Sequence, residues 1–263
     1  MSVIGLVLAA ALVVPVTSAT AAPAATVLAK SKSSKTKATK VVAASVKKSI
    51  KMKPRGLRFG MSAAKLATFY DKVFDKKFIP KYRKLSPGPR MAALDIELAN
   101  KKKILRKNLL KFDTVPMGMD KGALRFEFTH GNGESMTKVK LRKGVTRYFF
   151  FFNDALWKVY EEHKLRKKGA LGKTFDAAVE KVTKQLATAP KTVKADPDAG
   201  LGYDSANWAD SKVLIRLLDR EEEGRVGLLY IDKNVEKNLH RHRVHKSQAD
   251  DHVGRDVRSV TRH

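Results

Sequence analysis

GVTRYFFFFNDALWKVY, residues 144–160, is the stretch that decides the fold. Its four consecutive phenylalanines, Phe149 to Phe152, run directly into Asn153-Asp154, a pair that favours a tight turn. An apolar run bounded in this way is typical of a strand that is buried on both faces. We therefore predict a β-hairpin that returns through Trp157 and Tyr160, with the rest of the chain packed around it.

The composition describes a folded and strongly basic chain. Its 263 residues include 43% hydrophobic side chains, 12 Phe and 2 Trp, which is enough apolar material for a sizeable core. Lysine and arginine number 54 against 26 acidic residues, so the formal net charge is +28. This excess indicates an acidic partner, polymer or surface, but it does not choose among nucleic acid, polysaccharide and anionic lipid. The absence of cysteine excludes disulfides, thiolate metal sites and cysteine nucleophiles.

Residues 3–16 form an unbroken apolar run, and Ala19-Thr20-Ala21 follows it. This pattern is typical of a secretory signal peptide over residues 1–21 that is cleaved before Ala22. The run is shorter than the roughly 20 residues of a membrane-spanning helix. The usual positive charge ahead of the run is missing. The pattern predicts a periplasmic or secreted protein, and a short uncleaved anchor is the alternative.

Residues 22–55 are rich in Ala, Lys, Ser and Thr and contain no acid. A segment of this composition cannot bury a core, so we predict a disordered basic linker. It would attract nucleic acid inside the cell or a phosphate-rich polymer outside it, unless it is a plain spacer. The candidate binding residues of this segment are Lys30, Lys32, Lys35, Lys37 and Lys40.

Two helices are predicted ahead of the hairpin. Ser62 is a natural N-cap for an amphipathic helix over residues 63–75, which a proline-rich stretch at 80–89 follows. A second helix over residues 90–107 ends in a basic cluster. This cluster is either an anion-binding patch or a solvated helix end, where cations suit the helix dipole. Its members are Lys101, Lys102, Lys103, Arg106 and Lys107.

Alternating apolar and polar residues predict strands at 123–129 and 135–142, ahead of the aromatic hairpin. The four strands would form an antiparallel meander with the two helices on one face. We expect Glu127 to form a cross-strand ion pair with Lys138 or Lys140. The polar face of the second strand is a further candidate surface for anions, formed by Lys138, Lys140 and Arg142.

The sheet aromatics allow two interpretations. Phe150 and Phe152 would stack nucleic-acid bases if their face of the sheet were open. Strands that are apolar on both faces are usually covered, so we predict that both rings belong to the core.

Residues 169–239 look like a smaller echo of the preceding unit, residues 56–168. A capped helix is followed by a hairpin that pairs residues 212–219 with 225–232. Residues 240–263 contain five of the seven histidines but no apolar periodicity, so we predict a disordered tail. The spacing His240-x-His242, with His245 three residues on, could collect a transition metal. A flexible polar tail is the preferred interpretation, because nothing would fix the outer shell of the ligands.

The helix start Gly60-Met61-Ser62, with Leu66 four residues on, precedes the predicted order of two helices and four antiparallel strands. This arrangement resembles the exported modules of the β-lactamase inhibitor protein family and of the small outer-membrane assembly lipoproteins. The resemblance covers residues 56–163, with a looser echo at 171–174, and it implies a non-catalytic binding or assembly module of the cell envelope. The chain departs from the pattern because it has no lipidated or paired Cys and carries the proline-rich insertion.

The predicted fold is α+β, with helices packed on an antiparallel meander in one or two tandem helix-plus-sheet units between disordered tails. No catalytic, cofactor or metal site is predicted. The expected function is binding of an envelope protein or an anionic polymer through basic surfaces. Two alternatives stay open: a nucleic-acid-binding protein that uses the Lys-rich tail, and an envelope enzyme built on His130, Glu127 and Glu134.

Overall fold

One nine-stranded sheet organises the part of the chain that the computed structural model describes, residues 42–113, 124–197 and 200–243. The strands are β1 (Ala44–Ser45), β2 (Leu110–Lys111), β3 (Glu134–Arg142), β4 (Val145–Phe152), β5 (Ala155–Lys164), β6 (Lys191–Val193), β7 (Ser205–Ala209), β8 (Val213–Arg220) and β9 (Arg225–Asp232). The helices are α1 (Ala63–Tyr82), α2 (Pro89–Lys107), α3 (Phe175–Leu186), α4 (Lys233–Lys237) and α5 (Leu239–His242).

The strands lie in the order β1-β7-β8-β9-β5-β4-β3-β2, and β6 pairs with the same edge of β7 as β1. The pairing of β1 with β7 is parallel, whereas the other strand pairs are antiparallel. β5 and β9 pair from Lys158↔Ile231 to Lys164↔Arg225. This junction joins the aromatic hairpin and the C-terminal hairpin into a single sheet.

The predicted arrangement of helices on a meander, in one or two tandem units, is therefore wrong. A meander that ended at β5 would expose a long row of unpaired backbone groups, and β9 satisfies these groups instead. The expected boundary between residues 168 and 169 separates two stretches of one mixed sheet. The coarser expectation of an α+β chain is compatible with the structure.

The helices α1, α2 and α3 cover one face of this sheet. α1 and α2 pack over β3–β5, where Tyr70 meets Phe149 edge-to-face at 5.3 Å between ring centroids. α3 packs over β7–β9 and helps to bury Trp208. The opposite face carries Phe150 and Phe152, which are 0% and 6% exposed beneath the segment 124–133 and the C-terminal helices. The prediction that these two rings belong to the core is confirmed.

α1 is longer than predicted, because it continues through Pro80 to Tyr82. Contacts with α2 hold the additional turns in place. The Tyr82 hydroxyl donates to Asp95 at 2.6 Å, and Lys81 pairs with Glu97 at 3.5 Å. Tertiary contacts thus outweigh the tendency of a proline to end a helix.

The strand predicted at 123–129 is also wrong over the described residues. Glu127 N donates to Leu124 O at 2.8 Å in a turn, and the Phe128 ring stacks on Phe112 with centroids 3.9 Å apart. Neighbouring Glu127 and Phe128 are both buried, so this segment lies over the sheet and not within it. The position beside β3 is occupied by β2.

Residues 42–55 are ordered, which corrects the prediction of a disordered linker for that part. Ala44 pairs with β7, and both Ala44 and Ile50 are buried. The Asp210 carboxylate fixes the segment by accepting from Ile50 N at 2.6 Å. Scattered apolar residues of this kind carry no period, so the sequence pattern missed them. Residues 1–41, with the predicted signal peptide, lie outside the described residues.

Candidate anionic-partner surface

The tetrapeptide Lys-Leu-Arg-Lys occurs twice, at residues 140–143 and at residues 164–167. The first copy spans the end of β3 and the second begins at the last residue of β5, on either side of β4. Gly144, with φ +75°, closes the β3–β4 turn, and its carbonyl accepts from Lys164 N at 2.8 Å. The Arg166 guanidinium donates to the Lys143 carbonyl. These bonds join the two basic runs into one surface.

We call this surface the basic end. Its side chains are all exposed: Lys138, Lys140, Arg142, Lys143, Lys164, Arg166, Lys167 and Lys168. A Cβ at Gly144 would lie 3.0 Å from Arg166 Nη2 and 3.3 Å from the Lys164 Cβ, so glycine permits the close approach of the two runs. Only Lys138, Lys140 and Arg142 among these residues are predicted from the alternating pattern. The repeated Lys-Leu-Arg-Lys tetrapeptide is the sequence signal that indicates the remaining cations.

Glu161 and Glu162, which precede the second basic run on β5, form ion pairs with residues outside the basic end. Glu162 accepts from Arg220 at 2.9 Å and also pairs with Arg225. Glu161 pairs with Arg147 and lies 3.0 Å from His163 Nε2. Burial alone would raise the pKa of Glu161, but its bonds to His163 and Arg147 lower it below its ordinary value. Neither Glu161 nor Glu162 forms an ion pair with an exposed lysine of the basic end.

The structure divides the basic cluster that was predicted on α2. Lys103 and Lys107 are exposed, whereas the other three cations are paired with acids of the two helices. The pairs are Lys101–Glu97 at 3.7 Å, Lys102–Asp75 at 2.6 Å and Arg106–Asp71. Lys102 and Arg106 therefore fasten α2 to α1 in addition to any role in binding, whereas the pair of Lys101 lies within α2.

The predicted face of Lys138, Lys140 and Arg142 is also divided. Lys138 and Lys140 lie opposite Tyr148 and Thr146, but a register shift follows Lys140. Burial lowers the pKa of Lys77 on α1, and the charges of Arg147, Lys101 and Arg142 lower it further. Arg142 is thus close enough to α1 for its charge to act on Lys77, as the charge of Lys101 does.

The five lysines predicted in the N-terminal tail are not placed by the structure. Lys30, Lys32, Lys35, Lys37 and Lys40 lie outside the described residues. Their contribution to binding stays a prediction.

The strand pattern predicts an ion pair of Glu127 with Lys138 or Lys140, and this prediction is wrong. Its carboxylate lies 2.8 Å from the Lys158 ammonium, and both side chains are buried. A β-bulge in β5 explains why a lysine faces the core, since Phe150 pairs with Lys158 and Phe151 with Leu156.

Two effects compete at this buried pair. Burial lowers the pKa of Lys158, and Glu127 opposes that shift. Burial would raise the pKa of Glu127, but the charges of Lys158 and Arg216 lower it. The ammonium also lies 4.7 Å from the centre of the Phe150 ring. The pair therefore serves the core rather than a surface site.

The carboxylate of Glu134 and the ring of His130 also have structural partners. Glu134 accepts from Thr129 Oγ1 at 2.6 Å and from Arg243 Nε at 2.9 Å. His130 Nδ1 donates to the Asp113 carbonyl at 2.8 Å. These bonds fasten residues 124–133, which we call the covering loop, and the C-terminal helix α5 to the sheet. The cluster with Glu127 therefore has a sufficient structural explanation.

Residues 240–243 are ordered, contrary to the predicted disordered tail. They complete α5 and lead to Arg243, and the His242 ring stacks on Phe152 with centroids 5.1 Å apart. Residues 244–263 lie outside the described residues.

No group of three or more His, Cys, Asp or Glu side chains among residues 42–113, 124–197 and 200–243 could hold a metal ion. No helix in the same ranges combines the length and the apolar character needed to cross a bilayer.

Comparisons with protein families, curated proteins and solved structures found no match.

Proposed function

We propose that this chain is an exported, non-catalytic binding module whose basic end engages an anionic polymer of the cell envelope. The joining of two basic runs at one end of the sheet carries the proposal. The eight exposed cations of the basic end lie on β3 and β5, which flank β4, and on the segments that follow these two strands. A flexible polyanion gains most from such a cluster, because each contact releases counterions from the polymer.

The bonds that acidic residues form within the chain strengthen this proposal. Many carboxylates of the described residues cap helices, close turns or pair with buried cations. Examples are Asp232 at the start of α4, Asp210 beside β8 and Glu162 between two arginines. The net charge of +28 therefore has to be carried largely by exposed lysines and arginines.

The sheet aromatics argue against a single-stranded nucleic acid as the partner. Base stacking needs exposed rings, and Phe150 and Phe152 are buried. A nucleic acid bound through its phosphates alone would use the same cations as another polyanion. The experiment below therefore compares the binding of polyphosphate with that of duplex DNA.

Neutralising four lysines of the basic end should weaken the binding of long-chain polyphosphate at least about tenfold. The variant carries Lys140→Gln, Lys143→Gln, Lys167→Gln and Lys168→Gln in the full chain. The slope of log Kobs against log salt concentration should become shallower by about three, because up to four phosphate contacts are lost. Fluorescence anisotropy with labelled polyphosphate across a salt series measures both quantities.

A matched variant controls for total charge. It replaces four exposed lysines near the opposite ends of the strands: Lys47, Lys51, Lys191 and Lys212. Equal weakening by both variants would contradict a localised site. Duplex DNA of equal charge serves as the second probe, and binding to DNA alone would replace the envelope polymer with nucleic acid. Deletion of residues 22–41 measures the share of the tail separately.

A further inference from the structure

The α1–α2 hairpin is the most basic part of the helical layer. Residues 63–107 contain 13 Lys or Arg and 4 Asp or Glu, a formal net charge of +9. All four acids make bonds between or along the two helices. The contacts are Asp71 with Arg106, Asp75 with Lys102, Asp95 with Tyr82, and Glu97 with Lys81 and Lys101.

The outer surface of this hairpin is formed by two exposed stripes that contain no acid. At 100° per residue, each stripe lies opposite the side of its helix that is buried against the sheet, which includes Tyr70 on α1 and Leu105 on α2. The α1 stripe is Lys65, Thr68, Lys72, Lys76 and Ile79. The α2 stripe is Ala92, Ile96, Asn100, Lys103 and Lys107, with Ala93 and Ile104 beside it.

Isoleucines are exposed on the same surface. Ile79, Ile96 and Ile104 are 45%, 63% and 39% exposed. Val42 is the remaining large aliphatic side chain with comparable exposure among the described residues. A soluble polyanion offers no environment for such side chains, whereas the headgroup region of a bilayer accommodates both lysines and aliphatic groups.

A cleft of about 430 Å³ opens near the turn between the two helices. Three cations line it, Lys81, Lys84 and Arg90, together with the apolar Leu85 and Leu94. Glu97 also lines the cleft, and its carboxylate is paired with Lys81. A phosphate group beside acyl-chain carbons would match this combination of charges and apolar walls.

We infer that the outer face of the α1–α2 hairpin docks on a bilayer rich in anionic phospholipid. The lysines of both stripes contact the headgroups, and Ile79, Ile96 and Ile104 enter the interface between headgroups and acyl chains. A second copy of this chain does not suit the surface, because two hairpins of charge +9 would repel each other. This membrane contact is separate from polymer binding at the basic end and does not depend on it.

Replacing the three isoleucines should weaken binding to anionic vesicles at least about tenfold, because the apolar contribution is lost while the charge is unchanged. The variant is Ile79→Ser, Ile96→Ser and Ile104→Ser in the full chain. The vesicles contain about 30% phosphatidylglycerol in phosphatidylcholine, and pure phosphatidylcholine vesicles should bind weakly. Co-sedimentation gives the partition coefficients. Val42→Ser is the matched control, and its binding should stay within about twofold of the unsubstituted chain.

A reporter residue tests insertion directly. Trp157 and Trp208 are buried, so Ile96→Trp adds an exposed indole to the hairpin. Its emission should shift to shorter wavelength with anionic vesicles and be quenched by brominated lipid, whereas Val42→Trp should show neither effect. Unchanged vesicle binding by the triple serine variant, or an unshifted emission of the Ile96→Trp variant, would overturn the inference and leave simple electrostatic adsorption. Polyphosphate binding by the same variants is expected to be unchanged, so failure of the polymer proposal is observed separately.

Discussion

Glu127→Leu should lower the free energy of unfolding by about 3–5 kcal/mol, because the buried Lys158 ammonium loses its counter-ion. For a chain of this size the melting temperature should fall by about 6–20 °C. Urea and thermal denaturation of the full chain measure both values. The effect is large because the ammonium lies under the covering loop, where water cannot replace the carboxylate.

The double variant Glu127→Leu with Lys158→Met should recover most of the loss, to within about 2 kcal/mol of the unsubstituted chain. An exposed pair supplies the contrast: Glu180→Gln, which removes the charge that pairs with Lys184, should leave the melting temperature almost unchanged. A similarly small cost for Glu127→Leu would show that water reaches Lys158.

Acidification offers an independent check on the same pair. The folded state holds the pKa of Glu127 below its ordinary value of 4.5, so the unfolded chain binds this proton more readily. The contribution of Glu127 is therefore present above the unfolded pKa and is lost as the pH falls toward the folded one. The double variant lacks this contribution, so its stability should fall less steeply with acid over that range.

Residues 42–168 expressed alone should not show cooperative unfolding. The fragment keeps α1, α2 and β2–β5 but loses the seven residue pairs that join β5 to β9. It also loses Leu229 and Ile231, which pack with Trp157 in the core beneath the covering loop. β5 then becomes a long bare edge, which favours aggregation. Near-UV circular dichroism during a thermal scan measures cooperativity.

Adding residues 169–243 should restore a folded, two-fragment complex. A protease site inserted between Lys168 and Gly169 gives the matched control, because cleavage of the folded chain should leave the two halves associated. When the two halves are separated in denaturant, each half should fail to refold alone. The mixture of both halves should refold. A cooperative transition of 42–168 by itself would contradict this result and favour independent tandem units.

The elements with a strong local period could be predicted from the sequence. α2, α3, β3–β5, β8 and β9 lie close to their predicted positions, because helix caps, turn pairs and apolar spacing are properties of neighbouring residues. Pairing between distant strands leaves no such local trace. β7, with the short sequence SANWA, and the two-residue β1 were missed for this reason.

The members of the candidate surface were predicted wrongly where membership depends on the face of the sheet to which a side chain points. A register shift moves Arg142 away from Lys138 and Lys140, and a bulge turns Lys158 into the core. A one-residue irregularity reverses the side of every following residue, and the alternating pattern cannot reveal it. Charge runs such as 164–168 were visible in the sequence, but their meeting with 140–143 depends on the order of the strands.

The parallel pairing of β1 with β7 has a consequence for the order of folding. Ala44 finds its partner at Trp208, near the other end of the described chain. Ribosomes add about 5–20 residues per second, so the partner of β1 is synthesised several seconds after β1 itself. Contacts this distant in sequence also slow folding, because a long loop must close before they form. β1 is therefore expected to be among the last of the described strands to dock, and its docking completes the edge of the sheet.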